Sequence, residues 1–343
     1  MKNKDLFWPR RAFFEPDSLR YELGRRLRDI FTQTGTPVFY TPSHNRVTGI
    51  PGQNPRQKYA EAKRTLVVGV KKDLRFESCR PSADYEVALG TSCPGGCEYC
   101  YLAATLGRAP YIRVYVNIDE ILASVEAHIR KAEAGLVTFE AASASDPLAV
   151  EHLTGSLARI ISFFGANGRG RLRAVTKYAA VDPLIPLAHN GHTRFRFSIN
   201  TNKVIRFFEH NTSSFQDRIT AARRMQGAGY PLGFIIAPII AGETWRTDYE
   251  SLLFELHKAL PAPKNDLTFE LITHRYTKRA KNIILERFPR TKLAMNDAER
   301  RSKYGHYGYV KYVYPPKLMD EIRTFFTERI SALFPQARIE YFT

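Results

Sequence analysis

The stretch TSCPGGCEYCYL (91–102) holds three of the chain's four cysteines, Cys93, Cys97 and Cys100, in a CxxxCxxC spacing with Gly95 and Gly96 inside it. Three thiols this close cannot pair well with distant partners, and four cysteines in 343 residues are too few for a disulfide scaffold. Clustered thiols in a chain without an export signal point instead to a metal site. Structural zinc usually takes four ligands, often as two separated pairs, and here there is neither a second pair nor a histidine nearby in sequence. A [4Fe–4S] cube held by three cysteines fits better, because it leaves one iron open to a small molecule that chelates through an amine and a carboxylate. A zinc site or redox thiols remain the alternatives. The glycine pair allows close passage of the backbone around a cluster.

Outward from this loop, apolar strands alternate with amphipathic helices. RTLVVGV (64–70) has a buried-strand pattern, while 1–60 reads as polar and irregular with one helix near 19–32. The helix expected over 116–132 has Asn117 as N-cap with Glu120 three residues on, and Ile118, Ile121, Leu122, Val125 and Ile129 on one face. Strands are expected at 171–178, 194–200, 231–240 and 267–275, with 136–146 a strand running into a small, polar loop, and helices at 149–165, 214–229 and 245–260. About six near-continuous apolar strands between Tyr85 and His274, separated by helices, indicate parallel βαβ units of an α/β chain. An incomplete (β/α)6 barrel of the TIM type suits them, with an extension at 1–84, the barrel at 85–298 and a C-terminal β-hairpin plus helix at 299–343. The strand ends, where such barrels do their chemistry, carry the cysteine loop, 143–146, Lys177, 198–200, 237–238 and 274–275. These are small, polar or basic positions suited to a cofactor.

Lys and Arg outnumber Asp and Glu by 51 to 34, a net charge of +17 spread over the chain, which favours polyanions and above all nucleic acid. RRSKYGHYGYVKYVYPPK (300–317) mixes tyrosines with basic residues, a pattern for a hairpin that stacks on bases and grips phosphates, or for one whose tyrosines cover the barrel. No apolar run approaches the roughly 20 residues of a membrane span, and the first residues lack a secretory h-region. A cytoplasmic protein is expected.

CxxxCxxC after the first strand of a β/α barrel is the radical S-adenosylmethionine signature. Beyond it, TPSHNRVTGIPG (41–52), AKRTLVVGV (62–70), PYIRVYVN (110–117), AVTKYAAVD (174–182), TRFRFSIN (193–200), AGYPLGFIIAPI (228–239) and FELITHRYTK (269–278) resemble, in order, the spore photoproduct lyase family. The resemblance implies a radical SAM barrel and a DNA-repair lyase with a [4Fe–4S] cluster on Cys93, Cys97 and Cys100. In that family S-adenosylmethionine yields a 5′-deoxyadenosyl radical. The radical takes hydrogen from ring carbon 6 of the spore photoproduct thymine dimer; the methylene bridge breaks and a thiol returns a hydrogen. The resemblance places Ser145, Lys177, Ser198 and Ala237 against S-adenosylmethionine. It sets Tyr99 and Tyr101 in the radical relay, and Arg275, His306, Tyr307 and Lys311 toward the lesion or DNA. The implied partners are double-stranded DNA carrying a thymine dimer, turned out of the duplex, and an electron donor such as flavodoxin or ferredoxin. The protein is expected to be a monomer with no membrane partner.

Two positions depart from the family pattern. The family's donor cysteine lies in FEAxCxSD, whereas this chain reads FEAASASD (139–146) with Ser143 at the donor position. An alkyl O–H bond is far stronger than S–H, so Ser143 cannot quench a carbon radical as a thiol does. His306 stands where the family often has arginine, and imidazole cannot reproduce a bidentate guanidinium grip. Cys79, in RFESCRPSADY (75–85), is therefore the candidate hydrogen donor; the alternative is a small packing thiol. The competing functional readings are a radical SAM enzyme acting on another nucleic-acid lesion and a non-catalytic iron–sulfur DNA-binding relative.

Overall fold

Thr65–Gly69 is buried along all five residues, as a strand covered on both faces must be, and it organises one sheet of the computed structural model. The structure describes residues 6–133, 135–141, 143–260, 266–304 and 308–343. They fall into two compact units, one of Met1–Pro94 with Thr105–Arg194, the other of Gly95–Ala104 with Phe195–Thr343.

In the first unit Val38–Tyr40, Arg11–Phe14, Thr65–Gly69 and Ile112–Tyr115 lie side by side in parallel, and Gly90–Thr91 adds an antiparallel edge. The segment 1–60 is thus not irregular: it supplies two strands as well as the helix Glu22–Gln33. Leu23, Leu27 and Phe31 of that helix pack with Ala12, Phe14, Leu66 and Val68 in one apolar cluster. A second parallel set in this unit joins Tyr85–Glu86 to Val137–Glu140 and the latter to Gly170–Thr176.

The helix expected at 116–132 runs over Ile118–Lys131 and buries Ile121, Leu122, Val125 and Ile129 of the expected face, with Ile118 half-buried, but the Asn117 side chain does not cap it. Asn117 instead accepts from the Lys71 amide at 2.9 Å and donates to the Lys71 carbonyl at 3.0 Å. The single helix expected at 149–165 is divided at Gly155, whose φ of 65° leaves the helical region. The Glu151 carboxylate then accepts the amides of Leu157 and Ala158 at the start of Ser156–Ala166, meeting two of that helix's unsatisfied donors.

In the second unit Thr193–Ile199, Leu232–Ile239, Thr268–Thr273 and Arg338–Phe342 are parallel neighbours in that order. Phe195, Phe197, Phe234 and Phe269 are fully buried on them. Phe215–Gly227 starts with a complete capping box between Ser214 and Asp217, and Trp245–Ala259 and Pro316–Leu333 pack as further helices. Arg301–Tyr304 and Val310–Val313 form the antiparallel hairpin expected from the tyrosine-rich segment. Among the described residues no helix is long and apolar enough to cross a membrane.

Candidate active site

The second half of the cysteine loop is fixed by a short strand. Gly96–Cys97 pairs antiparallel with Glu209–His210, with Cys97 opposite Glu209 and Gly96 opposite His210. A side chain at Gly96 would bring a Cβ within 3.3 Å of the His210 Cβ, so the glycine serves close strand approach. The Glu98 amide donates to the Phe208 carbonyl at 2.9 Å. The buried Glu98 carboxylate lies 2.8 Å from His210 Nε2 and accepts the Thr291 hydroxyl. Cys97 is buried and Cys100 half-buried, with the Cys100 amide closing a turn on the Cys97 carbonyl at 3.2 Å.

Tyr99 and Tyr101 differ sharply. Tyr99 packs against the apolar cluster of Val204, Phe208 and Tyr276, and its phenol donates to Glu209. Burial, followed by the nearby Glu209 carboxylate, pushes its pKa well above the usual phenol value. Glu209 in turn accepts from Arg218 at 2.6 Å, a pair with both side chains fully buried. Arg218 also donates to the Ser198 carbonyl at 2.9 Å, which ties this network to the strand carrying Ser198. Tyr101, at the start of Tyr101–Thr105, is 64% exposed.

Ser198 and Ala237 lie on adjacent parallel strands, Ser198 opposite Ile235. Asn200, within the strand end expected at 198–200, links the two strand ends by donating to the Pro238 carbonyl at 2.8 Å and accepting from the buried Tyr249 phenol at 2.9 Å. Beyond Thr268–Thr273, His274 is buried. Burial first, then the Arg300 guanidinium that donates to its carbonyl, lowers its pKa to about 3, so it is neutral. Arg275 beside it is exposed.

In the first unit the approach to Cys93 is anchored at Ser92. This buried residue takes the left-handed region, φ 64°, which costs a non-glycine energy. Its amide donates to the Ala144 carbonyl at 2.7 Å and its hydroxyl to the Pro110 carbonyl at 2.9 Å. Ser92 also bridges in parallel to Ser145, so the Ser143–Ser145 loop runs alongside the residue before Cys93. Asp146 then accepts the Thr176 hydroxyl at 2.8 Å and the Lys177 amide at 2.9 Å, fixing the end of the strand that presents Lys177. Asp146 is a positioning residue that the sequence motif contained without revealing its role.

Cys79 is half-buried in a turn in which Ser82 and Ala83 donate to its carbonyl and its own amide donates to Asp84. This turn hangs from Val137–Glu140, the strand leading to Ser143. Ser82 donates to Glu140 at 2.9 Å, while the Asp84 carboxylate accepts the Thr138 hydroxyl at 2.7 Å and amide at 3.0 Å. Burial opposes ionisation of Asp84, but these bonds and Arg80 outweigh it and hold its pKa below the usual carboxylate value.

The hairpin divides its aromatic residues. Tyr312 stacks on Tyr276 with rings 5.5 Å apart, and Tyr314 is buried beneath Arg300, whose guanidinium is 3.7 Å from the ring centroid. Tyr304 and Tyr309 are exposed, and the Lys311 ammonium lies 5.1 Å from the Tyr309 ring. One hairpin thus carries both packed and exposed tyrosines. His306 and Tyr307 lie outside the described residues.

The sequence profile of the spore photoproduct lyase family matches residues 7–343. The chain is 48% identical to the spore photoproduct lyase of Geobacillus sp. (strain Y412MC61) and 46% to that of Bacillus subtilis (strain 168), each over 338 residues, 98% of this chain and 99% of the relative. A solved spore photoproduct lyase complexed with dinucleoside spore photoproduct superposes with a TM-score of 0.96 at 48% identity, covering 98% of this chain and 99% of that one. A doubly substituted lyase with bound AdoMet and dinucleoside spore photoproduct, one cysteine changed to alanine and one serine to cysteine, gives 0.96 at 49% over the same shares. The match bears out the mixed α/β class with parallel strands expected from the sequence. Carried from end to end by the family profile, by sequence identity and by structure, the likeness leaves one conclusion: the chain belongs to the spore photoproduct lyase family.

Proposed function

We propose that this chain is a radical S-adenosylmethionine lyase that returns spore photoproduct to two thymines, with Cys79 as its hydrogen donor. The observation that carries the reading is the pairing of an intact three-cysteine loop with a donor position occupied by Ser143 and a thiol hung from the same strand. The donor set fits the cluster: three soft thiol sulfurs, two of them half-exposed, in a loop whose glycine accommodates strand pairing. Among the described residues no three His, Cys, Asp or Glu side chains converge on a single-ion site. Cys93, Cys97 and Cys100 would hold the cube, with Ser145, Lys177, Ser198 and Ala237 toward S-adenosylmethionine. When bound, the pair supplies the 5′-deoxyadenosyl radical that removes a hydrogen atom from the lesion.

The chain's own part is to finish the reaction. Homolysis of the Cys79 S–H bond gives a hydrogen atom to the carbon radical left on thymine, forming its methyl C–H bond and leaving the odd electron on sulfur. Tyr99 and Tyr101 would relay a hydrogen atom from the methyl group of 5′-deoxyadenosine back to that sulfur, which remakes the S–H bond and returns the odd electron to the 5′ carbon. Tyr99 is suited to a fixed relay station by its burial and its bond to Glu209, and Tyr101 by its exposure. A solved relative carries the same kind of exchange, a cysteine removed and a serine made cysteine. Arg275, Lys311 and the hairpin, with His306 and Tyr307, form the DNA-facing part within 299–343 and its neighbourhood. Duplex DNA, a flavodoxin- or ferredoxin-type reductant, a monomeric state and a cytoplasmic location complete the reading.

The test is anaerobic reconstitution followed by reductant, S-adenosylmethionine and a dinucleotide photoproduct. Recovery of thymine supports the reading. Formation of 5′-deoxyadenosine without thymine would move the activity to another lesion.

A further inference from the structure

Lys63 ends the helix Pro55–Ala62 and is 6% exposed. Its ammonium donates to the Ser92 hydroxyl at 3.1 Å and the Cys93 carbonyl at 2.9 Å, and it lies 5.6 Å from the Tyr59 ring centroid. These partners are dipoles and a π face, not anions. Among the described residues no carboxylate lies within ion-pair distance of it, whereas buried cations are ordinarily paired. Both of these hydrogen bonds converge on the segment that delivers the first cluster ligand, at a buried serine held in the left-handed region.

Resting on the cluster reading above, we propose that Lys63 is the resident counter-cation of the iron–sulfur site and a positioning residue for Cys93. It holds Ser92 and the Cys93 carbonyl in place, and its charge sets the ease of cluster reduction. Each thiolate ligand is an anion, and one-electron reduction adds a further negative charge to the assembly. A buried positive charge beside the first ligand, little screened by solvent, stabilises the reduced form more than the oxidised one. The cation therefore makes the cluster reducible by a weaker electron donor.

The test is an EPR-monitored redox titration of the reconstituted wild type and of Lys63→Met, Lys63→Gln and Lys63→Arg, with iron content and far-ultraviolet circular dichroism measured on each. Both neutral variants are expected to show a reduction equilibrium at least tenfold less favourable, a negative shift of about 59 mV for one electron, and Lys63→Arg to stay within threefold of wild type. If the neutral variants fold but load no cluster while Lys63→Arg does, the counter-cation role is supported by the loading itself. Equal potentials across the series, or loss of loading in all three variants, overturn it as a charge effect. A wild-type protein that takes up no [4Fe–4S] cluster overturns the cluster reading and this inference together, whereas a loaded wild type with unshifted variants overturns the inference alone.

Discussion

Breaking the Arg218–Glu209 pair is the sharpest physical test of how the cysteine loop is held. Both side chains are wholly buried at 2.6 Å, and Glu209 sits opposite Cys97 in the short strand pair. Removing one partner of a buried pair typically costs about 3–5 kcal/mol, because the other charge stays desolvated. The two directions are not equivalent here. After Glu209→Gln the guanidinium keeps three neutral acceptors, the Ser198 carbonyl at 2.9 Å, the Ser213 carbonyl at 2.9 Å and the Thr212 hydroxyl at 2.8 Å. That places the loss near the lower end, about 3 kcal/mol. Arg218→Met instead strands a buried carboxylate beside a phenol donor, which puts its loss at the upper end, about 5 kcal/mol. Urea unfolding of the cluster-free protein, read as midpoint at constant slope, measures both, and iron content after reconstitution should fall in the same order. Losses below about 1 kcal/mol for both variants, against the buried-pair expectation, or a larger loss for Glu209→Gln, would refute the claim that this pair secures the loop.

Cys79→Ala should retain 5′-deoxyadenosine formation but lose clean thymine release, and Ser143→Cys in that background should restore it; product analysis by chromatography reads both. Asp146→Ala removes the acceptor of two hydrogen bonds at the end of the strand presenting Lys177. It should cost about 2–3 kcal/mol and weaken S-adenosylmethionine binding in equilibrium dialysis more than it weakens cluster loading. Burial raises the Glu151 carboxyl to about 7 despite the two amides it accepts. A carboxyl raised above its unfolded value contributes stability that is complete in acid and lost as pH climbs through 7. Wild type should therefore lose about 2.5 kcal/mol relative to Glu151→Gln between pH 5 and 8; identical pH profiles of unfolding would remove the assignment.

The cysteine loop was legible because its information is local: three thiols, two glycines and a preceding strand within a dozen residues. The parallel strands 64–70, 194–200 and 231–240 were legible for the same reason, being continuous apolar runs. Arg11–Phe14 was not, since four residues behind two arginines carry too little pattern, and only pairing with Thr65–Gly69 makes them a strand. Gly155 reads as a helical residue because the apolar pattern runs on past it, and its φ of 65° is not written in that pattern. Asn117 showed the motif of a cap, yet tertiary contact with Lys71 claimed its side chain. Glu209 with Arg218, Asp146 with Lys177, and Ser82 with Glu140 hold the candidate site through partners up to 58 residues apart, and one-dimensional spacing contains no sign of them.

The suspension of the Cys79 turn from Val137–Glu140 has an evolutionary consequence. The bonds that hang it come from Ser82, Asp84 and Thr138, and from the backbone of residue 79, and none of these uses the sulfur. Four of the six serine codons lie a single base from a cysteine codon. With Cys79 as the proposed donor, a lineage can gain the thiol on the turn, pass through an ancestor bearing both, and then lose the thiol on the loop, without any step in which the radical has no quencher.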